Sequence, residues 1–408
     1  MAVLCAAHTA KSQVWTKKAD FINGESANAY CFSINDTIYV GNTAGLGFYK
    51  YDYTTDTWTP KGDVPTVLFN RTASTSFVIN GKGYVLGGIG PDGICRSDVW
   101  EYTPGTDTWV QKNDFAGGKR TAAGSFVIAN RAYVGGGNDT IDIPGFSLIP
   151  KNDFWQYDPV ADNWVSKAVL PYPSSYLIAP FAFSINYKGY FACGDRARLV
   201  AGVYHDTDVN TMYEYDTLAN AWTKKADFPG LSRSGGVSFV LNNKAYCGTG
   251  IKDSAIIISY NDFYAYEQVT DRWASVFMPP FGTRTYALAA SVSTNKAYVG
   301  TGWQAPSVGT YFKDWWEFRP MVTDVSDNKT AAKLNCYPNP CSSSLTVDMQ
   351  GVDMNGYEIY DLTGKRLSEG TLPGNKTIST SSLSSGTYLL EINGNGGRYH
   401  EVFTVSQK

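Results

Sequence analysis

The sequence predicts an all-β chain: a six-bladed β-propeller closed by an N-terminal strand, followed by a small C-terminal Ig-like β-sandwich. Three observations predict it. A unit of about fifty residues recurs along the first 320 residues, and self-similarity at that period marks propeller blades. Aromatic residues and glycine are abundant, with Tyr 28, Phe 20, Trp 11 and Gly 40, which suits many short strands joined by tight turns. Finally, "VWTKKADF" at 14–21 returns almost unchanged as "AWTKKADF" at 221–228, yet no copy of the repeat stands before the first.

Each unit opens on an apolar segment and a polar turn: "CFSINDT", "SFVINGK", "SFVIANR", "AFSINYK", "SFVLNNK" and "ASVSTNK". Apolar alternation ahead of Asn- and Gly-containing turns reads as strand one entering a hairpin. Strand two carries a tyrosine and ends on glycine: "IYVGN" at 38–42, "YVLGG" at 84–88, "YVGGG" at 133–137, "YFACG" at 190–194, "YCGTG" at 246–250 and "YVGTG" at 298–302. Strand three follows a variable loop and is aromatic: "GFYKYDY", "DVWEYTP", "DFWQYDP", "MYEYDTL", "DFYAYEQ" and "DWWEFRP". A short turn then leads to a fourth strand bearing Trp58, Trp109, Trp164, Trp222 or Trp273. Their recurrence in blade after blade reads as packing between blades. After "DWWEFRP" there is no such strand. The orphan copy at the start supplies it, so Val14–Lys17 is expected to complete blade six and leave the ring without an open edge.

Glycines ending strand two, a tyrosine in strand three and a tryptophan in strand four resemble the kelch repeat family over residues 14–319. Blades one, four, five and six depart from the double glycine of that pattern, which bears on local turn geometry rather than on the fold.

Beyond Arg319-Pro320 the texture changes. "VTDVSDNKTAAK" reads as a polar linker, and "LNCYPNPCSSSLTVDM", "YEIYDLTGKRL", "LSSGTYLLEI" and "RYHEVFTVSQK" read as short strands between Gly, Asn and Ser turns. Tyr337-Pro338-Asn339-Pro340, "IYDLTGK" at 359–365 and "LSSGTYLL" at 383–390 resemble the C-terminal sorting domain of the type IX secretion system in Bacteroidetes-type bacteria. That resemblance implies a secreted or outer-membrane surface location and a partner in the secretion machinery. The expected division is a remnant or ragged start at 1–13, the propeller at 14–320, a linker at 321–333 and the sorting domain at 334–408.

Composition excludes several roles. Net charge is −3 with 17% charged residues, and no basic stripe for nucleic acid is present. No apolar run approaches the roughly 18 residues that span a bilayer. Seven cysteines form no CxxC pair; Cys31, Cys193 and Cys247 read as buried thiols, and Cys336 and Cys341 are near enough in sequence for a local disulfide in an oxidising compartment. With only His8, His205 and His400, a histidine metal cage or a Ser-His-Asp relay has little material, and no metal or cofactor is expected. A monomer is expected.

In a four-stranded meander the loops entering strand one and joining strands two and three leave on one face. The second-to-third connections vary most, at Asn138–Asn152, Asp195–Thr211, Ile251–Asn261 and Trp303–Lys313, so binding is expected there. Arg71, Arg120, Arg233 and Arg284 recur at the entrance to strand one on the same face, with Ser26 and the region of Tyr176 and Leu177 at the equivalent places in blades one and four. Guanidiniums converging on one opening would favour a carboxylate, sulfate or phosphate, such as an acidic sugar. Arginines each paired with a local carboxylate would instead be scaffolding. Trp303 does not recur and is a candidate for stacking on a sugar ring. The blade-four insertion gathers Asp195, Arg196, Arg198, Tyr204, His205 and Asp206, the one place where an acid/base pair could assemble.

Kelch propellers include binding modules and enzymes, so fold does not decide function. The first expectation is a surface module binding glycan or protein through the loop-rich face. The alternative that the resemblance implies is a sialic-acid mutarotase using an arginine-lined funnel. A copper oxidase of the galactose oxidase type is rejected, because only His205 lies within the ring.

Overall fold

The computed structural model describes residues 14–320 and 334–407, apart from 42–46, 63, 141–147, 172–175, 201–202, 254–256, 277, 294, 307–308, 350–352, 362–365 and 395–396. The chain divides into two compact units, Met1–Met321 and Val322–Lys408.

The first unit is a ring of six four-stranded antiparallel sheets. Blade one runs through Tyr30–Ile34, Thr37–Gly41, Phe48–Asp52 and Thr57–Pro60, and the later blades repeat that order at the repeat period. Strand one of every blade alternates buried and half-buried positions, as in Phe181–Ile185, because one face packs between blades and the other lines the channel. The hairpin into strand two is tight because both turn residues take positive φ: Asn35 and Asp36, Asn80 and Gly81, Asn242 and Asn243. That is the turn geometry whose twist matches the flanking strands.

The predicted closure is present. Val14–Lys18 pairs antiparallel with Trp315–Arg319, Trp15 opposite Phe318, the same register that sets Trp58 opposite Tyr51 in blade one. One residue longer than expected, the strand completes blade six. Trp15 packs its ring at 4.8 Å from Phe318, 5.2 Å from Phe281 and 5.4 Å from Phe263.

A second device ties each blade to the one before. The strand-three tyrosine donates its hydroxyl to the side chain of the following turn: Tyr51 to Asp56, Tyr102 to Asp107, Tyr157 to Asp162, Tyr215 to Asn220 and Tyr266 to Asp271. The same turn residue accepts a backbone N–H from the segment leaving the preceding blade, namely Ala19, Gly62, Asn113, Ala168 or Ala226. Blade six breaks the series in an instructive way. Its third and fourth strands come from opposite ends of the ring's sequence, so no turn joins them, and the tyrosine is replaced by Phe318, which is fully buried. A hydroxyl there would have no turn carboxylate to bond. Phe318→Tyr should therefore cost about 1–3 kcal/mol, read as a lower urea midpoint.

Three segments expected as loops are paired instead. Asn138–Thr140 pairs with Leu148–Pro150, and Ile251–Asp253 with Ile257–Ser259. Asp195–Val200 pairs with Val203–Asp208, and Tyr176–Ile178 adds a third strand to that sheet. Their alternating residues satisfy backbone groups that a long irregular connection would leave to water.

The second unit is built of two sheets, Asn335–Tyr337, Ser344–Asp348 and Thr377–Ser379 in one, and Arg366–Thr371, Met354–Tyr360, Gly386–Gly394 and Gly397–Val405 in the other. They share a core that includes Leu345, Val347, Ile359, Ile378, Leu390, Ile392 and Phe403. Cys336 and Cys341 are both free, and Cys341 is buried 3.6 Å from the Thr380 hydroxyl. The linker expected at 321–333 and the start at 1–13 lie outside the described residues.

Candidate functional site: the axial mouth

The four recurring arginines are buried, each 0–1% exposed. Arg120 forms a two-pronged pair with Asp153 at 2.6 and 2.9 Å and donates to the carbonyls of Gly136 and Gly117 at 2.9 and 2.6 Å. Arg71 repeats this with Asp98 at 2.6 and 3.1 Å and with the carbonyls of Gly87 and Val67. Arg233 pairs with Asp262 and donates to Thr249; Arg284 pairs with Asp314 at 2.7 and 2.9 Å and donates to Thr301. Aromatic rings cover the guanidiniums, with Tyr260 at 4.1 Å from Arg233 and Phe281 and Phe312 each at 4.3 Å from Arg284. Burial opposes ionisation of Asp314, but hydrogen bonding to Arg284 and its charge outweigh it, so the carboxyl is held below its ordinary range.

This placement corrects the expectation of guanidiniums opening onto the funnel. All four point into their own blade, onto a carboxylate at the start of strand three. The signal was in the sequence. Asp98, Asp153, Asp262 and Asp314 immediately precede strand three in the blades that have the arginine, while Gly47 and Thr211 stand there in blades one and four, which lack it.

What the arginines position lies two residues further on. Asn28, Ala73, Ala122, Ala179, Gly235 and Tyr286, one per blade, all adopt positive φ between 47° and 62°. Their backbones form a closed cycle. Ala73 N–H donates to Asn28 at 2.9 Å, Ala122 to Ala73 at 2.9 Å, Ala179 to Ala122 at 2.9 Å, Gly235 to Ala179 at 3.0 Å, Tyr286 to Gly235 at 2.7 Å and Asn28 to Tyr286 at 3.1 Å. A second set of bonds runs outside it: Gly88, Gly137, Gly194, Gly250 and Gly302 donate to the carbonyls of Arg120, Leu177, Arg233, Arg284 and Ser26 in the next blade. The residue before each of those glycines also has positive φ, and Cys193, Thr249 and Thr301 keep it at 58° where the repeat pattern calls for glycine.

The cycle frames a cavity of about 180 Å³ on the axis, lined by its six members and by Ala29, Ser74, Ala123, Pro180, Gly236 and Ala287. Asn28 and Tyr286, neighbours in the cycle, bring the only long side chains among these lining residues. Sequence reasoning missed them. The clue was the residue two after each arginine: "RTA" twice, "RSG" once and "RTY" once.

The remaining candidates stand around this mouth. Trp303 is half-buried, and its backbone exchanges hydrogen bonds with Thr285, the neighbour of Tyr286, at 2.9 and 3.1 Å. The hairpins at 138–150 and 251–259 rise from the same level, since Thr121 pairs with Asn138 and Ser234 with Ile251. In the blade-four hairpin Arg196 is half-buried and opposite Thr207, and Arg198 is opposite His205, so these positions share one face by alternation. The side chains of Arg198, Tyr204, His205 and Asp206 lie outside the described residues. Among the described residues no group of three His, Cys, Asp or Glu is placed to hold a metal ion.

Comparison with known proteins places both units. Residues 335–406 match the secretion system C-terminal sorting domain. N-acetylneuraminate epimerase of Shigella boydii serotype 4 is 26% identical over 263 residues, covering 57% of this chain and 71% of that protein. N-acetylneuraminate epimerase 2 of Escherichia coli O6:H1 is 27% identical over 268 residues, 54% of this chain and 72% of that one. The Shigella sonnei epimerase reaches 36% over a shorter stretch of 110 residues, 29% of its length. The solved structure of YjhT superposes with a TM-score of 0.59 at 19% identity, covering 73% of this chain and 96% of that one. The chain thus joins a kelch-type β-propeller to a type IX secretion system sorting domain, which addresses it to the cell surface or outside.

Proposed function

We propose that the propeller is an exported carbohydrate-binding module whose ligand site is the axial mouth together with the hairpins that rise around it. The observation that carries this reading is the build of that face. Paired hairpins and Trp303 surround a small opening lined by hydrogen-bonding and aromatic side chains, Asn28 and Tyr286, on a rigid frame. Such a concave site with a few fixed polar groups is the ordinary form of a small-ligand pocket. The buried arginines belong to the frame rather than to the ligand.

A second reading, an epimerase acting on a sialic acid, is favoured by the names of the curated relatives. It places the chemistry at the blade-four hairpin, where backbone register sets Arg198 opposite His205.

One pair of measurements on the whole chain separates them. Binding to a glycan array is expected of the binding module, and a featureless array would remove that reading. Array glycans hold sialic acid as a glycoside with no free anomeric hydroxyl, so the epimerase is tested on the free sugar. Following α/β anomer exchange of N-acetylneuraminate by NMR then decides catalysis. Exchange no faster than in buffer retains the binding module; acceleration that His205→Ala abolishes establishes the epimerase.

A further inference from the structure

Five of the six positions in the axial cycle are occupied by Asn, Ala or Gly, residues that enter the left-handed region at little or moderate cost. Blade six places Tyr286 there, with φ 49°. A bulky side chain in that region is an outlier that surrounding structure must hold in place. Glycine meets every backbone demand of the position, since Gly235 makes the same two cycle bonds next door. The backbone therefore does not ask for a tyrosine.

Its ring has been given room. A Cβ built on Gly235 would come within 2.8 Å of Tyr286 Cε1 and 3.0 Å of Cζ. The tyrosine thus lies across the mouth over blade five, in space that only glycine leaves open. It is half-buried in the cavity wall, and Asn28 follows it in the cycle, with Asn28 N–H bonded to the Tyr286 carbonyl.

We infer that Tyr286 is the sugar-stacking platform of the axial mouth, with the Asn28 amide beside it as the group that reads ring hydroxyls. This deepens the carbohydrate-binding reading and rests on it. The chemistry is that of a pyranose whose C–H face lies on an aromatic ring while a neighbouring amide donates to and accepts from its hydroxyls. The opening of about 180 Å³ suits a single sugar ring, and a terminal residue of a glycan is the form that reaches it along the axis. Recognition here owes nothing to the buried arginines, so affinity at this subsite should change little with salt.

The test uses the full chain, a glycan array carrying neutral and sialylated oligosaccharides, and thermal melting. Tyr286→Gly should weaken binding of the array glycans by about tenfold or more, while Tm stays level or rises because the strained residue is gone. Tyr286→Phe should keep most of the binding. The comparison is Tyr187→Gly, which relieves a left-handed tyrosine (φ 63°, 75% exposed) in a tight turn on the opposite face and should leave glycan binding as it is. If the unmodified protein binds array glycans and Tyr286→Gly binds them within twofold, the platform is refuted and the carbohydrate reading stands. Loss of binding together with a lower Tm would show a structural residue and also refute the platform. An unmodified protein that binds no glycan on the array overturns both.

Discussion

Truncation of the chain through Lys18 opens blade six and unfolds the ring, and the single change Trp15→Ala takes it most of the way there. The strand Val14–Lys18 satisfies the outer backbone edge of Trp315–Arg319 along five register pairs. Without it that edge meets solvent and becomes a template for pairing with another chain. Trp15 lies 9% exposed among Phe263, Phe281 and Phe318, so its truncation removes a large apolar surface at a point where two blades meet. Large-to-small changes of this kind cost about 3–5 kcal/mol. The expected result is a sharply lower denaturant midpoint for Trp15→Ala and aggregation for the truncation, whereas removal of residues 1–11 leaves the midpoint unchanged. A truncated ring that melts with the full chain would show that blade six is held by its other three strands alone.

Arg120→Ala is expected to have the second largest effect, and to have it on stability. The guanidinium makes two bonds to Asp153 and three to backbone carbonyls, those of Gly136, Gly117 and, more distantly, Lys119. Removing it takes the paired cation from Asp153, which is 30% exposed and keeps the Trp155 indole N–H, and takes a donor from each of those carbonyls; breaking such pairs costs about 3 kcal/mol or more. Arg120→Lys should not restore the loss, because a point charge cannot span the fork of acceptors. Arg120→Met combined with Asp153→Asn should recover part of it, since no charge is then left without its partner. Direct ligand contact by Arg120 would show itself as lost binding with an unchanged midpoint.

Acid should expose the same bracing. The folded-state pKa of Asp314 is depressed, so its pairing stabilises the ring above the ordinary carboxylate range, near pH 4, and that contribution fades as pH falls through the lowered value. A urea midpoint that declines on acidification, less steeply in Asp314→Asn, is the expected record.

The ring was legible in the sequence because a repeat reports itself several times over. Strand order, the tight Asn turns and the borrowed closing strand all followed from copies in phase. Phe318 carried the same message in one atom: the hydroxyl is missing where the turn is missing. The arginines were found but their direction was not, because a guanidinium's partner is a matter of the other end of the pair. Asp98, Asp153, Asp262 and Asp314 follow 27–33 residues later, and they become visible only when blades with and without arginine are set side by side. The hairpins at 138–150 and 195–208 read as loops because their strands are short and mixed in polarity. Least legible was the mouth itself. Positive φ at three alanines leaves no mark in composition, and a cycle of bonds between residues some fifty positions apart belongs to closure rather than to any one segment.

That cycle has a bearing on how such a site changes. Because each of the six members both gives and receives a main-chain bond, the aperture behaves as one hoop. No single blade can widen or narrow it without loosening its two neighbours. The diameter is therefore common property, whereas each of the six side chains is private to its blade and free to vary so long as it tolerates the left-handed backbone. A propeller of this kind can change what its mouth presents by exchanging single residues around a hoop of constant size, with room made for a large side chain by a glycine next door, as Gly235 does for Tyr286.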